Sequence, residues 1–274
     1  MKVEKIILYP VKSMAGYEVD SAECDENGLM GDRRFVVTRP DGKFLTSRQV
    51  PAIMMLKPIW LADYSGIVIK GKSGQIKVPV PASDTNESIK VWNDSVESAD
   101  CGDDVAKFLS RELGRDARLK AIGNKGRRHS ENNEHAPDSY ADAMPLLVMT
   151  QESIDHMNDH LDDGVTWKNF RPNVLLTGAD KPFAEDFWQE INISKGRMTL
   201  EYGCARCVMT TVDPETGEFR KDKEPMRHLR TYRKESDKQI YVGQNAVSHG
   251  SITVNMGDAV TIHKTREKNV LQGE

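Results

Sequence analysis

CARCVMTTVDPETG, residues 204–217, contains the one close pair among this chain's four cysteines. The residues C-terminal to the pair decide the fold. A thioredoxin-like redox pair opens a helix after a strand. Here residues 208–212 are rich in Val and Thr, and Asp213-Pro214 and Gly217 then break the run, so the segment reads as strand and turn. A structural zinc site needs a second knuckle or closely spaced histidines. Cys24 and Cys101 stand alone, and His156 and His160, four apart on a predicted helix, read as a solvated face. From the residues alone, two readings stay open. One is a single metal-binding thiolate with a bystander, the other a pair of buried thiols without chemistry.

The rest of the second half matches a β-rich unit. MPLLVMT (144–150) has the pattern of a buried strand, and Thr150 caps a helix whose apolar face is Ile154, Met157 and Leu161. PNVLLTG, RMTLEYG, QIYVG and SITVNMGDAVTI add strands separated by Gly, Pro or Asp. The first hundred residues read as short strands too. They include hairpins turning at Ser73-Gly74 and Asn93-Asp94, the arrangement of a small barrel or sandwich. One helix comes next, with Asp100 as N-cap, Gly114 as stop, and Cys101, Val105, Phe108, Leu109 and Leu113 on one face. Residues 123–139 are polar and without period, a linker or loop, and the charged end from Lys264 is expected to fray. The expected fold class is mainly β with a few helices (α+β). The expected division is 1–122, 123–264 and a tail, 265–274.

At 274 residues and 38% hydrophobic, the chain can bury a sizeable core. A net charge of -4 argues against a nucleic-acid partner. No run of about 20 apolar residues predicts a membrane span, and MKVEKIILYP reads as a strand rather than a signal peptide. A soluble, cytoplasmic protein is the expectation.

Cations recur where strands end. Lys12 and Ser13 come just after the first strand, and Arg33 precedes the next. Arg48 lies in TSRQ, Arg171 and Asn173 in NFRPN, and Arg206 within the cysteine pair. Lys and Arg beside Ser, Thr and Asn suit a phosphate-bearing ligand. No P-loop or dinucleotide fingerprint is present.

YPVKS, GDRRFVVT, DCGDDVA, FRPNVLLTG, PFAEDFW and CARCVMTTVDPETG together resemble MOSC-domain proteins that carry the associated N-terminal β-barrel domain. Within that superfamily the chain is most similar to the amidoxime-reducing components and their bacterial YcbX-type relatives. The resemblance implies an N-terminal β-barrel-like domain followed by a β-barrel MOSC domain. It also implies the molybdenum cofactor, a pterin with a dithiolene-held metal and a phosphate, with the cysteine after the arginine, Cys207, as metal ligand. Cys204 is then a neighbour shaping the loop. Lys12, Ser13 and Arg33 correspond to positions that hold the cofactor from the N-terminal side, and Arg171, Asn173 and Arg206 to positions on the MOSC side. Thr150 and Ser153 are further candidates, because a helix N-terminus offers free N–H groups to an anion.

The implied activity is two-electron oxygen removal from N-hydroxylated compounds such as amidoximes and hydroxylamines. The YcbX-type relatives often carry a ferredoxin-like domain with four cluster-binding cysteines, and no cysteine follows Cys207 here. The expectation is therefore a separate electron donor of flavoprotein, ferredoxin or cytochrome type. The alternative is a sulfur or cofactor carrier that uses a Cys207 persulfide.

Overall fold

The computed structural model describes residues 1–82, 87–122, 128–129 and 136–268. These form a mainly β structure with four short helices, as the segment pattern predicts. Of the expected linker, residues 123–127 and 130–135 lie outside the described residues, as do 269–274 of the tail. The parts that are described are held firmly. Arg128–His129 pairs with Asp94–Asp100, and Thr265 pairs with Trp188, so the frayed end does not begin at Lys264.

The largest sheet has eight strands. From edge to edge they are Val260–Thr265, Trp188–Ile193, Gly196–Ala205, Tyr241–His249, Leu146–Thr150, Val174–Thr177, Lys2–Leu8 and Tyr17–Val19. All neighbours are antiparallel except Leu146–Thr150 with Val174–Thr177. Ser21–Asp25 joins Ile252–Asn255 and Gly28–Leu29 in a smaller sheet. The first thirty residues are thus built into sheets otherwise made by the second half.

The rest of the N-terminal half forms two sheets around the helix Asp103–Leu113. Both expected hairpins exist, each with its turn one residue earlier than the composition indicates. Gly71 pairs with Gly74 across Lys72-Ser73, and Val91 pairs with Asp94 across Trp92-Asn93. Trp92 takes the left-handed conformation at φ 56°. Helix Asp103–Leu113 starts at Gly102 without a side-chain cap, and the Asp100 carboxylate instead accepts from Gly102 N and binds Arg118.

The burial pattern explains the sheet order. Leu146–Thr150 is buried at every position, as a strand covered on both faces must be. One face meets Ile6, Leu8, Val174, Trp188 and Leu200; the other meets Ile154, Met157 and Phe170. Each fully buried Leu or Ile contributes about 1.5–3 kcal/mol of transfer free energy. Among the described residues no helix is long and apolar enough to cross a membrane.

One row of residues runs across four strands and through Asn173, the residue before a fifth. Ile7 N donates to Asn173 O, Asn173 N donates to Leu147 O, Leu147 faces Asn245, and Asn245 faces Tyr202. The last four of these line a single cavity of about 250 Å³.

Candidate functional site

The strand Gly196–Ala205 reaches this cavity through two irregularities, between Leu200 and Tyr202 and between Gly203 and Ala205. The first puts an extra residue in this strand and the second puts one in its neighbour Tyr241–His249, and such bulges bend strands and re-aim side chains. The second irregularity contains Cys204, which lines the cavity with Cys207. Burial pushes the Cys204 thiol up. Cys207 is half-buried and opens the turn Val208–Thr211, its carbonyl accepting from Thr210 N at 3.1 Å.

Arg206 points inward between the two cysteines. Its Nε donates to Val242 O at 2.8 Å, one terminal nitrogen to Phe170 O at 2.9 Å, and the other to Met149 Sδ at 3.6 Å. Gly243 makes this possible. It sits at φ 75°, and a Cβ there would lie 2.5 Å from Met149 Cγ and 3.3 Å from the guanidinium. Arg206 therefore ties the cysteine turn to the neighbouring strand and to the FRPN segment. Arg206 thus lines the cavity as expected, while three of its donors serve the scaffold.

The FRPN segment follows the helix Trp167–Phe170, which Thr166 and Asn169 close with a capping box. Asn169 Nδ2 also donates to Thr210 O and Val212 O, fastening this helix to the cysteine turn. Arg171 ends the helix in the left-handed conformation, φ 62°, which turns its side chain toward the cavity. Asn173 is buried. Its Oδ1 accepts from Arg33 Nη1 at 2.8 Å and from Leu147 N at 3.2 Å, and its Nδ2 donates to Ile7 O. Its carboxamide holds Arg33 from within the cavity wall.

Tyr9 lies under both arginines, its ring centroid 4.6 Å from the Arg33 guanidinium and 4.3 Å from that of Arg171. Arg33 is paired with the buried Asp32 carboxylate, which also accepts from Tyr9 N. The Arg171 backbone is bonded, its N–H to Trp167 O at 2.6 Å and its carbonyl to Arg33 at 3.5 Å, but its guanidinium makes no hydrogen bond or ion pair with a protein group among the described residues. Burial pushes it down to about 10, Tyr9 acting upward and Arg33 downward, so it stays charged at neutral pH.

Lys12 closes another wall. Its buried ammonium donates to Tyr140 O at 2.7 Å and to Asp142 Oδ1 at 2.6 Å. Burial lowers its affinity for the proton, and Asp142 opposes this. At Asp142 burial acts upward but is outweighed by Lys12, Trp92 and Arg48, which hold the carboxyl well below its ordinary range. The same Oδ1 also accepts from Trp92 Nε1 at 2.9 Å. Ser13, at φ 69°, and Arg48 complete this side.

Lys12, Ser13, Arg33, Arg171, Asn173, Arg206 and Cys207 are thus brought together from segments far apart in the chain. Thr150 and Ser153 are not. Both are fully buried, the Thr150 hydroxyl caps the helix, and both hydroxyls donate to the buried Glu185 carboxylate, which leaves no N-terminal site for an anion. Cys101 packs against the N-terminal core, and burial pushes its thiol up to about 12. Asp213 holds its turn by accepting from Glu215 N and Thr216 N. His156 and His160 have ring centroids 5.3 Å apart, and His160 stacks on His228 at 4.9 Å, so the expected solvated face is part of an aromatic cluster. Among the described residues no three His, Cys, Asp or Glu side chains are arranged to hold a metal ion. Sequence reasoning alone does not find Tyr9, Asp32, Asp142 or Asn169. Only YPVKS, GDRR and NFRPN, which contain Tyr9, Asp32 and Asn169, carry a signal.

Residues 1–116 match the MOSC N-terminal beta barrel domain, and residues 135–261 match the MOSC domain. The chain is 32% identical to mitochondrial amidoxime reducing component 2 of Bos taurus over 254 residues, covering 87% of this chain and 75% of that protein. It is 32% identical to mitochondrial amidoxime-reducing component 1 of Danio rerio, covering 86% and 76% respectively. For component 1 of Homo sapiens the figures are 29% identity, 94% and 82%. With both domains matched in order, and this likeness running through most of the chain, the protein belongs to the family of MOSC-domain proteins with a MOSC N-terminal β-barrel domain, in which the amidoxime-reducing components also stand.

Proposed function

We propose that the protein is a molybdenum-cofactor oxidoreductase that reduces N-hydroxylated compounds, with electrons from a separate donor protein of flavoprotein, ferredoxin or cytochrome type. The observation that carries this reading is the meeting of the Cys207 thiol and the unpartnered Arg171 guanidinium in one cavity. A thiolate suits a metal already held by sulfur. A guanidinium without a protein acceptor suits a phosphate, which it can grip with two parallel donors. These are the two contacts that a pterin dithiolene ending in phosphate requires, so the residues present fit the group.

When bound, that cofactor supplies two-electron redox chemistry at molybdenum. In the net reaction an N-hydroxylamine takes up two electrons and two protons, its N–O bond breaks, and the amine and water leave. Cys207 holds the metal. Arg171 holds the anion, and Lys12, Ser13 and Arg33 line the adjoining wall. Tyr9, Asp32 and Asn173 keep the arginines pointed inward, and Arg206 and Asn169 fix the cysteine turn. The relatives' name, amidoxime-reducing component, supports the substrate class.

The test is elemental analysis of protein made in a host that synthesises the cofactor, followed by turnover of benzamidoxime with an artificial reductant. About one molybdenum per chain is expected in the wild type, and little in Cys207→Ser. Equal metal in both proteins removes the ligand assignment. Metal-loaded protein without turnover would instead favour a carrier in which Cys207 holds sulfur.

A further inference from the structure

Beside the cavity lies a second, larger groove of about 630 Å³, and Arg48 lines both. Four cations, Arg39, Lys43, Arg48 and Lys90, face this groove against one carboxylate, Asp41. Asp41 is engaged by Arg39 at 3.2 Å and Lys43 at 4.0 Å. Arg48 and Lys90 make no ion pair and no side-chain hydrogen bond with a protein group among the described residues.

The groove also carries an aromatic platform. Trp92 is 44% exposed, and Phe44 packs edge-on against it with centroids 5.2 Å apart. The Arg48 guanidinium lies over the indole at 4.8 Å. The indole is not free to swing, because its N–H is held by Asp142, the carboxylate that also anchors Lys12 in the cavity wall. A left-handed residue in a two-residue turn, an exposed large ring and an unpaired cation stacked on it form an arrangement that folding alone does not demand. Together they suit a ligand with a flat ring and a negative charge.

We infer that this groove is the outer half of the substrate site: it takes the aromatic, anionic end of a substrate whose N-hydroxyl group enters the Cys207 cavity, Trp92 stacking on the ring and Arg48 pairing with a carboxylate or phosphate. This deepens the proposed reduction and rests on it. Arg48 and Trp92 then set specificity. Neither contacts the reacting N–O bond.

The experiment compares benzamidoxime with 4-carboxybenzamidoxime on cofactor-loaded protein, with rates expressed per molybdenum. The wild type should favour the carboxylate in kcat/KM by about tenfold, the value of one charge-assisted pair. The preference should sit in KM and fall to near unity in Arg48→Ala, while Arg48→Lys keeps part of it. Trp92→Leu should raise KM for both compounds. An unchanged ratio in Arg48→Ala overturns the assignment. If neither compound is turned over, the proposed reaction fails, and the groove is decided by binding alone. Quenching of the Trp92 fluorescence by 4-carboxybenzamidoxime, identified by its loss in Trp92→Phe, should saturate at about tenfold lower concentration in the wild type than in Arg48→Ala. Coincident curves overturn the inference.

Discussion

The Arg171 guanidinium stands 4.3 Å above the ring of Tyr9, a residue far from it in sequence, and lines the cavity that contains Cys207. A cation resting on an aromatic face keeps its charge and donors available to a ligand. Arg171→Ala should therefore leave the urea midpoint of the apo-protein within about 1 kcal/mol of wild type, because no protein acceptor loses its donor. Molybdenum content should fall about tenfold or more. Full retention of metal would show that the anion is held elsewhere.

Arg206, the neighbouring cation in the wall, should behave in the opposite way. Its guanidinium serves Val242 O, Phe170 O and Met149 Sδ, and Ala would leave two buried carbonyls without donors. Urea denaturation should register a loss of roughly 2–4 kcal/mol in Arg206→Ala, even without cofactor. Lys should not restore it, since one ammonium cannot span three acceptors in different directions. A stable Arg206→Ala apo-protein would end the structural reading of this residue.

Tyr9 separates ring from hydroxyl. Tyr9→Phe loses only the hydrogen bond to Pro172 O, about 1 kcal/mol, and should keep its metal. Tyr9→Leu removes the surface on which both arginines rest. It should lower stability by about 2–4 kcal/mol and lower metal content as well. Equal metal loss in the two variants would contradict the stacking account.

A pH dependence should originate at Glu185. Burial first, and the adjacent Asp186 second, push this carboxyl up to about 7 from its ordinary 4.5. The folded chain thus binds this proton more tightly than the unfolded chain. The resulting stability is fully present below about pH 4.5, declines as pH rises, and is absent above about pH 7. Glu185→Gln keeps a neutral group facing Thr150 and Ser153. It should flatten the unfolding free energy between about pH 5 and 8, measured by urea midpoints. An unaltered slope would assign the dependence to another group.

The sequence made most strands readable, because β-branched runs are bounded by Gly, Pro and Asp, but not the order in which they pair. Val208–Thr211, read as strand from its Val and Thr content, is a single helical turn held by the Cys207 carbonyl. Turn positions slipped by one, since Asn93 looks like a turn residue and Trp92, which takes the positive φ, does not. At the site, the ligand-type residues could be named from YPVKS, GDRR, FRPN and CARC. Their division of labour could not. Arg206 and Arg171 look alike in sequence, and only the three-dimensional supply of carbonyl acceptors makes one a strut and leaves the other open. Thr150 and Ser153 matched an anion-binding helix start until Glu185, over thirty positions away, was folded against them.

Lys2–Leu8 is an inner strand, flanked by Tyr17–Val19 on one side and by Val174–Thr177 on the other. The ribosome therefore makes this strand long before its second neighbour, which emerges only after most of the N-terminal half. Until then the nascent segment has an open edge and nothing to close against. The basin thus does not exist until synthesis has passed the strand Tyr241–His249 that forms part of its floor, so whatever it binds can enter only late in biogenesis.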